Sequence, residues 1–387
     1  MGWGALPALA ATAKVERTPS APTTPARNII LMLADGMGVA QWQATSIVTK
    51  QPLRVLEMAD CGMITTTPLN TINGDAPSHC TAMATGVNTN GGAVGLGPDG
   101  QKLTTITELA AQKGMARGIV SANSLVEGSI VPFVAHAKNR MMLEDITAAY
   151  IDQNIDVFIG SGKDYFTHHI NGFGPGPGAC GGKPGAQAPT RPAMTLTDRE
   201  DHRDLLKELQ QKGYAIAENL DNAAQAKGSK LAALIGAQDI PNLAKGRPED
   251  SFPRSVQIAL DKLKDSKNGF FLMVGDMYVD RASHDGNLDL LCKECVNLDK
   301  AIRVAVEFAE SRKDTLVIVV GSPEASGMSL VSGNVPEGKL EAHWSLPGMI
   351  HTGIMVPYFA YGCGADKFQG MLQNTDMFGL LKAAMNL

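Results

Sequence analysis

The sequence contains no apolar run approaching the roughly 20 residues that cross a bilayer, so no membrane span is expected. It has no surplus of positive charge. The 34 Lys and Arg against 39 Asp and Glu leave a formal charge of -5, which gives no basic surface suited to nucleic acid. Six cysteines in 387 residues (Cys61, Cys80, Cys180, Cys292, Cys295, Cys363) are too few for a disulfide-dense scaffold. Cys292 and Cys295 make a lone CxxC with no second pair to complete a four-cysteine zinc site. They fall in a helical pattern whose shared face explains the spacing. No segment repeats at a solenoid period. No Lys or Arg precedes the short apolar patch at the N-terminus, so residues 1–27 read as a flexible segment carrying at most a shortened signal.

What is present is an ordinary globular composition, 44% hydrophobic and 19% charged, which makes small molecules the default partners. Continuous apolar runs recur at "NIILMLADGMG", "ARGIVSAN", "IDVFIGSG", "GFFLMVGD" and "TLVIVVGS". Each has the pattern of a strand buried on both faces. Helical periodicity separates them at "LTTITELAAQKG", "MMLEDITAAYIDQN", "RDLLKELQQKG" and from Asn287 to Ser311. Strand and helix in alternation predict an α/β fold with a mainly parallel central sheet sandwiched between helices. Residues 166–194 are rich in Gly and Pro and read as a long insertion; the adjacent His168 and His169 in it are expected to be solvated rather than ligating.

In such sheets ligands bind beyond the carboxyl ends of the strands, so the polar residues after each apolar run are the candidates. They are Asp35, Asp75, Glu127 and Ser129, Asp280 and His284, and His351. Asp280 and His284, four apart, share a helical face. With His351 they make three protein ligands and leave open the fourth position of a catalytic zinc.

"NIILMLADGMG", "DAPSHCTAMATGVNTNGGAVGL", "IVPFVAHAKNR", "FFLMVGDMYVDRASH" and "HTGIMVPYFAYGCGADKFQGMLQNTDMF" follow one another in the order and spacing of the alkaline phosphatases. The resemblance runs from Asn28 to the C-terminus and implies a single domain over 28–387. It also implies a homodimer, periplasmic or secreted, with two zinc ions and a magnesium serving phosphate-monoester hydrolysis through a phosphoserine. Carried over by position, Asp280, His284 and His351 match the first zinc's ligands, and Asp35 matches the carboxylate shared by the second zinc and the magnesium. Arg140 matches the guanidinium that grips phosphate, a task suited to its planar fork. Ser129 stands at a magnesium-binding threonine, and Glu127 at an acidic or histidine position near the same ion.

The departures fall on the chemistry. Ala76 stands where the resemblance places the nucleophilic serine, and Ser322 and Pro323 stand where it places the Asp and His of the second zinc. Gly275 replaces a magnesium-binding Glu, with Asp276 beside it. A serine hydroxyl is a poor nucleophile without a metal or base, so serine and second zinc act as one unit. At ~100° per residue, Ser78 faces away from the Ala76 position, Cys80 lies a turn deeper, and His79 sits further into the helix. The adjacent Asp75 could in principle form an acyl phosphate, but the resemblance implies that this residue supports the helix entrance. The expectation is therefore one zinc site, a weakened magnesium site, a phosphate or phosphate-monoester ligand, and no phosphoserine route. Two readings stay open: slow hydrolysis by a zinc-bound water or a substitute nucleophile, and a non-enzymatic phosphoester-binding protein.

Overall fold

The computed structural model describes residues 25–171 and 195–387 apart from 347 and 349. Residues 1–24 of the N-terminal segment and 172–194 of the insertion lie outside them. The strands in chain order are β1 (Asn28–Ala34), β2 (Asp60–Ile64), β3 (Ala116–Ser124), β4 (Val157–Ser161), β5 (His169–Asn171), β6 (Thr195–Thr197), β7 (Ala215–Ala217), β8 (Leu231–Leu234), β9 (Phe270–Asp276), β10 (Thr315–Gly321), β11 (Met328–Asn334), β12 (Lys339–Trp344), β13 (Val356–Gly362) and β14 (Gly370–Leu372). Ten of them form one sheet in the order β14-β2-β13-β10-β1-β9-β3-β4-β8-β7. Only β13 runs against its neighbours, pairing antiparallel with β10 and β2. The other two pairs, β5–β6 and β11–β12, are separate antiparallel ribbons.

The strands at the centre of the sheet are apolar through their middles, with polar residues at their ends, because both faces are covered. Along β1 the odd residues Ile29, Leu31 and Leu33 enter one core, while Ile30, Met32 and Ala34 enter the other. This is the period-two alternation of a strand. Helices Ala76–Thr85, Ile106–Gln112 and Leu143–Asp152 contribute to the first core; helices Ser251–Leu263 and Leu288–Arg312 contribute to the second. The expected layered α/β architecture is the one observed.

Two local readings change, those of Phe166 and of the His168–His169 pair. Phe166, taken as the start of the insertion, is fully buried in the helix Lys163–Thr167, its ring stacked 5.9 Å from Phe158. His169 pairs with Glu144 at 2.8 Å, and His168 meets the Thr167 hydroxyl. Cys292 and Cys295 are buried on one face of the long helix Leu288–Arg312, and burial pushes both thiols up, away from the thiolate that redox or metal chemistry needs.

Candidate metal and anion site

β10, β1 and β9 are adjacent and parallel, and their carboxyl ends deliver Ser322, Asp35 and Asp276 to one edge. After β9 the chain turns directly into the helix Tyr278–His284. The Asp276 carboxylate starts it by accepting the Tyr278 N–H at 2.7 Å. One turn of this helix puts Asp280 and His284 on the same face. His351 comes from the opposite side, held by an antiparallel bridge between Ala325 and His351 and by Asn73, whose Nδ2 donates to the His351 carbonyl at 2.7 Å.

The three side chains meet. Asp280 Oδ1 lies 3.2 Å from His284 Nε2 and 3.0 Å from His351 Nε2. All three ligand atoms fall within 4.8 Å of one another, and all three residues are buried. A tetrahedral zinc with ligands at about 2.0–2.1 Å needs ligand atoms roughly 3.3 Å apart, so the set fits with small adjustment. His284 Nδ1 is 2.8 Å from the Ser326 hydroxyl, which fixes the ring. Its Nε2 is buried and misses hydrogen-bond geometry with every neighbour, as a nitrogen aimed at an ion would. Burial opposes ionisation of Asp280, but the two imidazoles outweigh it and hold the carboxyl well below the ordinary carboxylate range.

Gly36 makes the close approach possible. Its φ is +72°, and a Cβ there would lie 2.6 Å from the Asp280 Cα. Asp35 is therefore pressed against the three-ligand cluster. Burial and the negative Asp280 push its carboxyl up to about 7, partly offset by a hydrogen bond from Ser322. Ser322 Oγ donates to Asp35 Oδ1, and the Gly36 N–H lies 3.1 Å from the same hydroxyl. Ser322 thus completes a small hydrogen-bonded knot. Pro323 offers no ligand atom and packs toward the loop before Ala76; a Cβ on Gly74 would be 3.1 Å from Pro323 Cγ.

Ala76 opens the buried helix Ala76–Thr85, and Asp75 is the cap, its Oδ1 accepting the Ser78 N–H at 2.9 Å. The Ser78 hydroxyl also bonds Asp75, so it is engaged in the cap. Cys80 is fully buried with its thiol pushed up, and burial pushes the His79 imidazole down to about 4. The Ser78 hydroxyl is therefore held in the cap, the Cys80 thiol stays protonated, and His79, though neutral, is fully buried within the helix packing.

Glu127 and Ser129 follow β3. Glu127 Oε1 accepts from Arg281 Nη2 at 2.6 Å and Asn123 Nδ2 at 2.6 Å, and Oε2 from Arg140 Nη2 at 3.4 Å. Burial lifts the Glu127 carboxyl above its ordinary value, against the pull of Arg281 and Arg140. Arg140 stands by the helix entrance, since Gly128 is wedged between it and Pro77: a Cβ on Gly128 would be 2.9 Å from Pro77 Cγ and 3.1 Å from Arg140 Nη1. Ser129 Oγ turns to the Met277 sulfur at 3.1 Å.

The structure thus brings Asp280, His284 and His351 together with Asp35 behind them. Arg140 lies beside Pro77 at the helix entrance, and Glu127 and Ser129 hold other partners. Asp276 does not replace the absent side chain at Gly275. Successive strand residues point to opposite faces; a side chain at 275 would face Ser129 and Ile130, whereas Asp276 lies on the Leu272 and Val274 face with Arg247. Three supporting residues escaped the sequence reading: Ser326, Asn73 and Arg281. Of these only Arg281 carried a signal, a cation set between two ligands in "DRASH".

Imidazoles and carboxylates gathered at the carboxyl ends of a mainly parallel sheet define a class: α/β proteins whose strand ends build a metal site. The chain belongs to the alkaline phosphatase family, whose model, described as "Alkaline phosphatase", matches residues 26–339. It is 25% identical to alkaline phosphatase 4 of Bacillus subtilis over 92% of this chain and 88% of that one. It is 27% identical to the alkaline phosphatase of Escherichia coli over 94% of this chain and 87% of that one. Streptomycin-6-phosphate phosphatase of Streptomyces griseus is 25% identical, with 98% and 94% covered. The solved alkaline phosphatase from the Antarctic bacterium TAB5 superposes with a TM-score of 0.79 at 24% identity, covering 94% of this chain and 99% of that one. That likeness establishes the fold.

Proposed function

We propose that this chain binds phosphate or a phosphate monoester through one zinc ion and Arg140, and that the phosphoserine route of phosphomonoester hydrolysis is absent. Asp280, His284 and His351 would hold the zinc, which when bound supplies a Lewis acid and an open coordination position. The observation that carries the reading is the Ser322–Asp35 hydrogen bond. It consumes an oxygen of Asp35 at the place where the resemblance calls for a second ion, and the neighbouring residue there, Pro323, has no donor atom. With Ala76 contributing only a methyl group, neither the attacking atom nor the cation that would activate it has a provider among the described residues.

Arg140 supplies the planar fork for two phosphate oxygens. Its orientation rests on Glu127, and it lies close to Pro77, the second residue of the helix Ala76–Thr85. Ligand binding without turnover is the leading reading. A second reading, slow hydrolysis by water at the open zinc position, is favoured by the intact three-ligand set; it requires His284 and His351 and is indifferent to the residue at 76. Family likeness favours a homodimer acting outside the cytoplasm, and no described helix is long and apolar enough to cross a membrane.

Metal content and hydrolysis of p-nitrophenyl phosphate test the proposal together. The expected outcome is about one zinc per chain and turnover that is absent, or slow and abolished by chelator. Fast turnover, or two tightly held zinc ions, would refute it.

A further inference from the structure

The magnesium position that the family likeness calls for does not fit a magnesium ion. That ion demands near-octahedral oxygen ligands at about 2.0–2.1 Å. Gly275 supplies none, and Ile130 fills the space: its Cγ2 would lie 2.5 Å from a Cβ at that position. Asp276 points through the other face of the sheet, and the Ser129 hydroxyl faces a sulfur. Glu127 spends three acceptor positions on Arg281, Asn123 and Arg140. Asp35 Oδ2 is the one oxygen of this group, beyond a deeply buried Asp276 Oδ2 on the far face, without a hydrogen-bond partner, and one oxygen does not hold a hard divalent cation.

We propose that the anion site is ordered without that ion, and that the Arg281 guanidinium, a permanent cation, positions Arg140 through Glu127. Arg281 lies in the helix Tyr278–His284, between the two zinc ligands Asp280 and His284. One arm reaches Glu127 at 2.6 Å and the other reaches Asp239 at 3.3 Å, while Glu127, with its side chain only 6% exposed, reaches Arg140 on its remaining oxygen. The chain Arg281–Glu127–Arg140 therefore connects the helix that carries the zinc ligands to the residue that grips the anion. A guanidinium is covalently fixed, always charged and forks two ways, so it ties three elements without dissociating. Glu127 is a positioning residue in this arrangement, and the anion site needs no second kind of metal.

This extends the one-zinc reading, and its test is separable from that reading because magnesium and zinc are measured independently. Zinc-loaded wild-type protein is titrated calorimetrically with millimolar MgCl2, and its melting temperature is followed in parallel. Neither binding heat nor a shift is expected; stoichiometric magnesium binding would overturn the proposal. The affinity for inorganic phosphate is then measured for Arg281→Met, Glu127→Gln and the double variant. Each single change is expected to weaken phosphate binding about tenfold, and the double change by about the same tenfold, because both break one connected unit. Arg281→Lys, which keeps the charge, is expected to recover part of the loss. Losses that multiply to about a hundredfold in the double variant, or a lower melting temperature with unchanged phosphate affinity, would contradict the positioning role. If the variants do not fold, the wild-type magnesium titration still decides the first half.

Discussion

Restoring the hydroxyl alone, by Ala76→Ser, is expected to give almost no catalysis. Residue 76 is buried at the helix entrance and only 4% exposed, so a serine Oγ would be held in place by the same backbone. It would remain an ordinary alcohol. Zinc lowers the pKa of bound water from ~15.7 to about 7, close to nine units, and at 1.36 kcal/mol per unit that is an activation of roughly 12 kcal/mol. Even a third of it, ~4 kcal/mol, is worth about a thousandfold in rate. Nothing in the Ser322–Asp35 knot supplies that cation: the hydroxyl donates to Asp35, and Pro323 is mute. The expected gain in kcat/KM for p-nitrophenyl phosphate is thus below about tenfold for Ala76→Ser. The triple change Ala76→Ser, Ser322→Asp, Pro323→His is expected to exceed the product of its parts by about a hundredfold or more, because serine and ion act as a unit. The assay is steady-state nitrophenol release by zinc-reconstituted protein, with zinc content checked on each variant. A gain near a thousandfold from Ala76→Ser alone would refute the reasoning.

Gly36→Ala is expected to expel the zinc ligand set from its geometry, since φ is +72° and the new Cβ would meet the Asp280 Cα at 2.6 Å; zinc affinity measured by competition with a chromophoric chelator should fall at least about tenfold, and unchanged affinity would count against the close packing. Arg140→Ala is expected to weaken inorganic phosphate binding by about 1.5–3 kcal/mol, roughly ten- to a hundredfold by calorimetry, as the loss of a charge-assisted pair. The His136–Glu108 pair, 3.1 Å apart, gives a pH signature away from the site. Against opposing burial, bonds from His136, Thr105 and Gln153 lower Glu108 to about 2, so its contribution is present above the ordinary Glu value and lost as pH falls toward 2. Glu108 raises His136 above its ordinary value, so that contribution is present below about 6.5 and lost as pH rises through the folded-state value. His136→Asn is therefore expected to cost most stability between about pH 4.5 and 6.5 in denaturant titrations, with the difference from wild type shrinking on both sides.

The strands legible in the sequence were those buried on both faces. β1, β9 and β10 read as unbroken apolar runs because each packs between two parallel neighbours or against a full layer of helices. β13 lies inside the segment "HTGIMVPYFAYG", where Pro357 argues against a central strand. The register resolves this: the β10 pairing ends at Val320 with Tyr358, so Pro357 faces only β2 and breaks no ladder on the other side. Short β7, β8 and β14 carry too few residues for a period to show. At the site, the spacing of Asp280 and His284 foretold a shared helical face. Their meeting with His351, 67 residues beyond His284, is a tertiary fact that no spacing encodes; it was expected from the gathering of polar residues at the sheet edge and from the family likeness. What no pattern in the chain could reveal was the fate of Glu127. A carboxylate near a metal position looks like a ligand in sequence, and only its three bonds to Arg281, Asn123 and Arg140 show it already engaged.

The central claim is that a single cation survives in this pocket. Anomalous diffraction at the zinc edge from zinc-soaked crystals, paired with elemental analysis of the same protein, addresses it most directly. The account requires about one zinc per chain, bonded to Asp280, His284 and His351. A second fully liganded zinc beside Asp35 and Ala76 would contradict it.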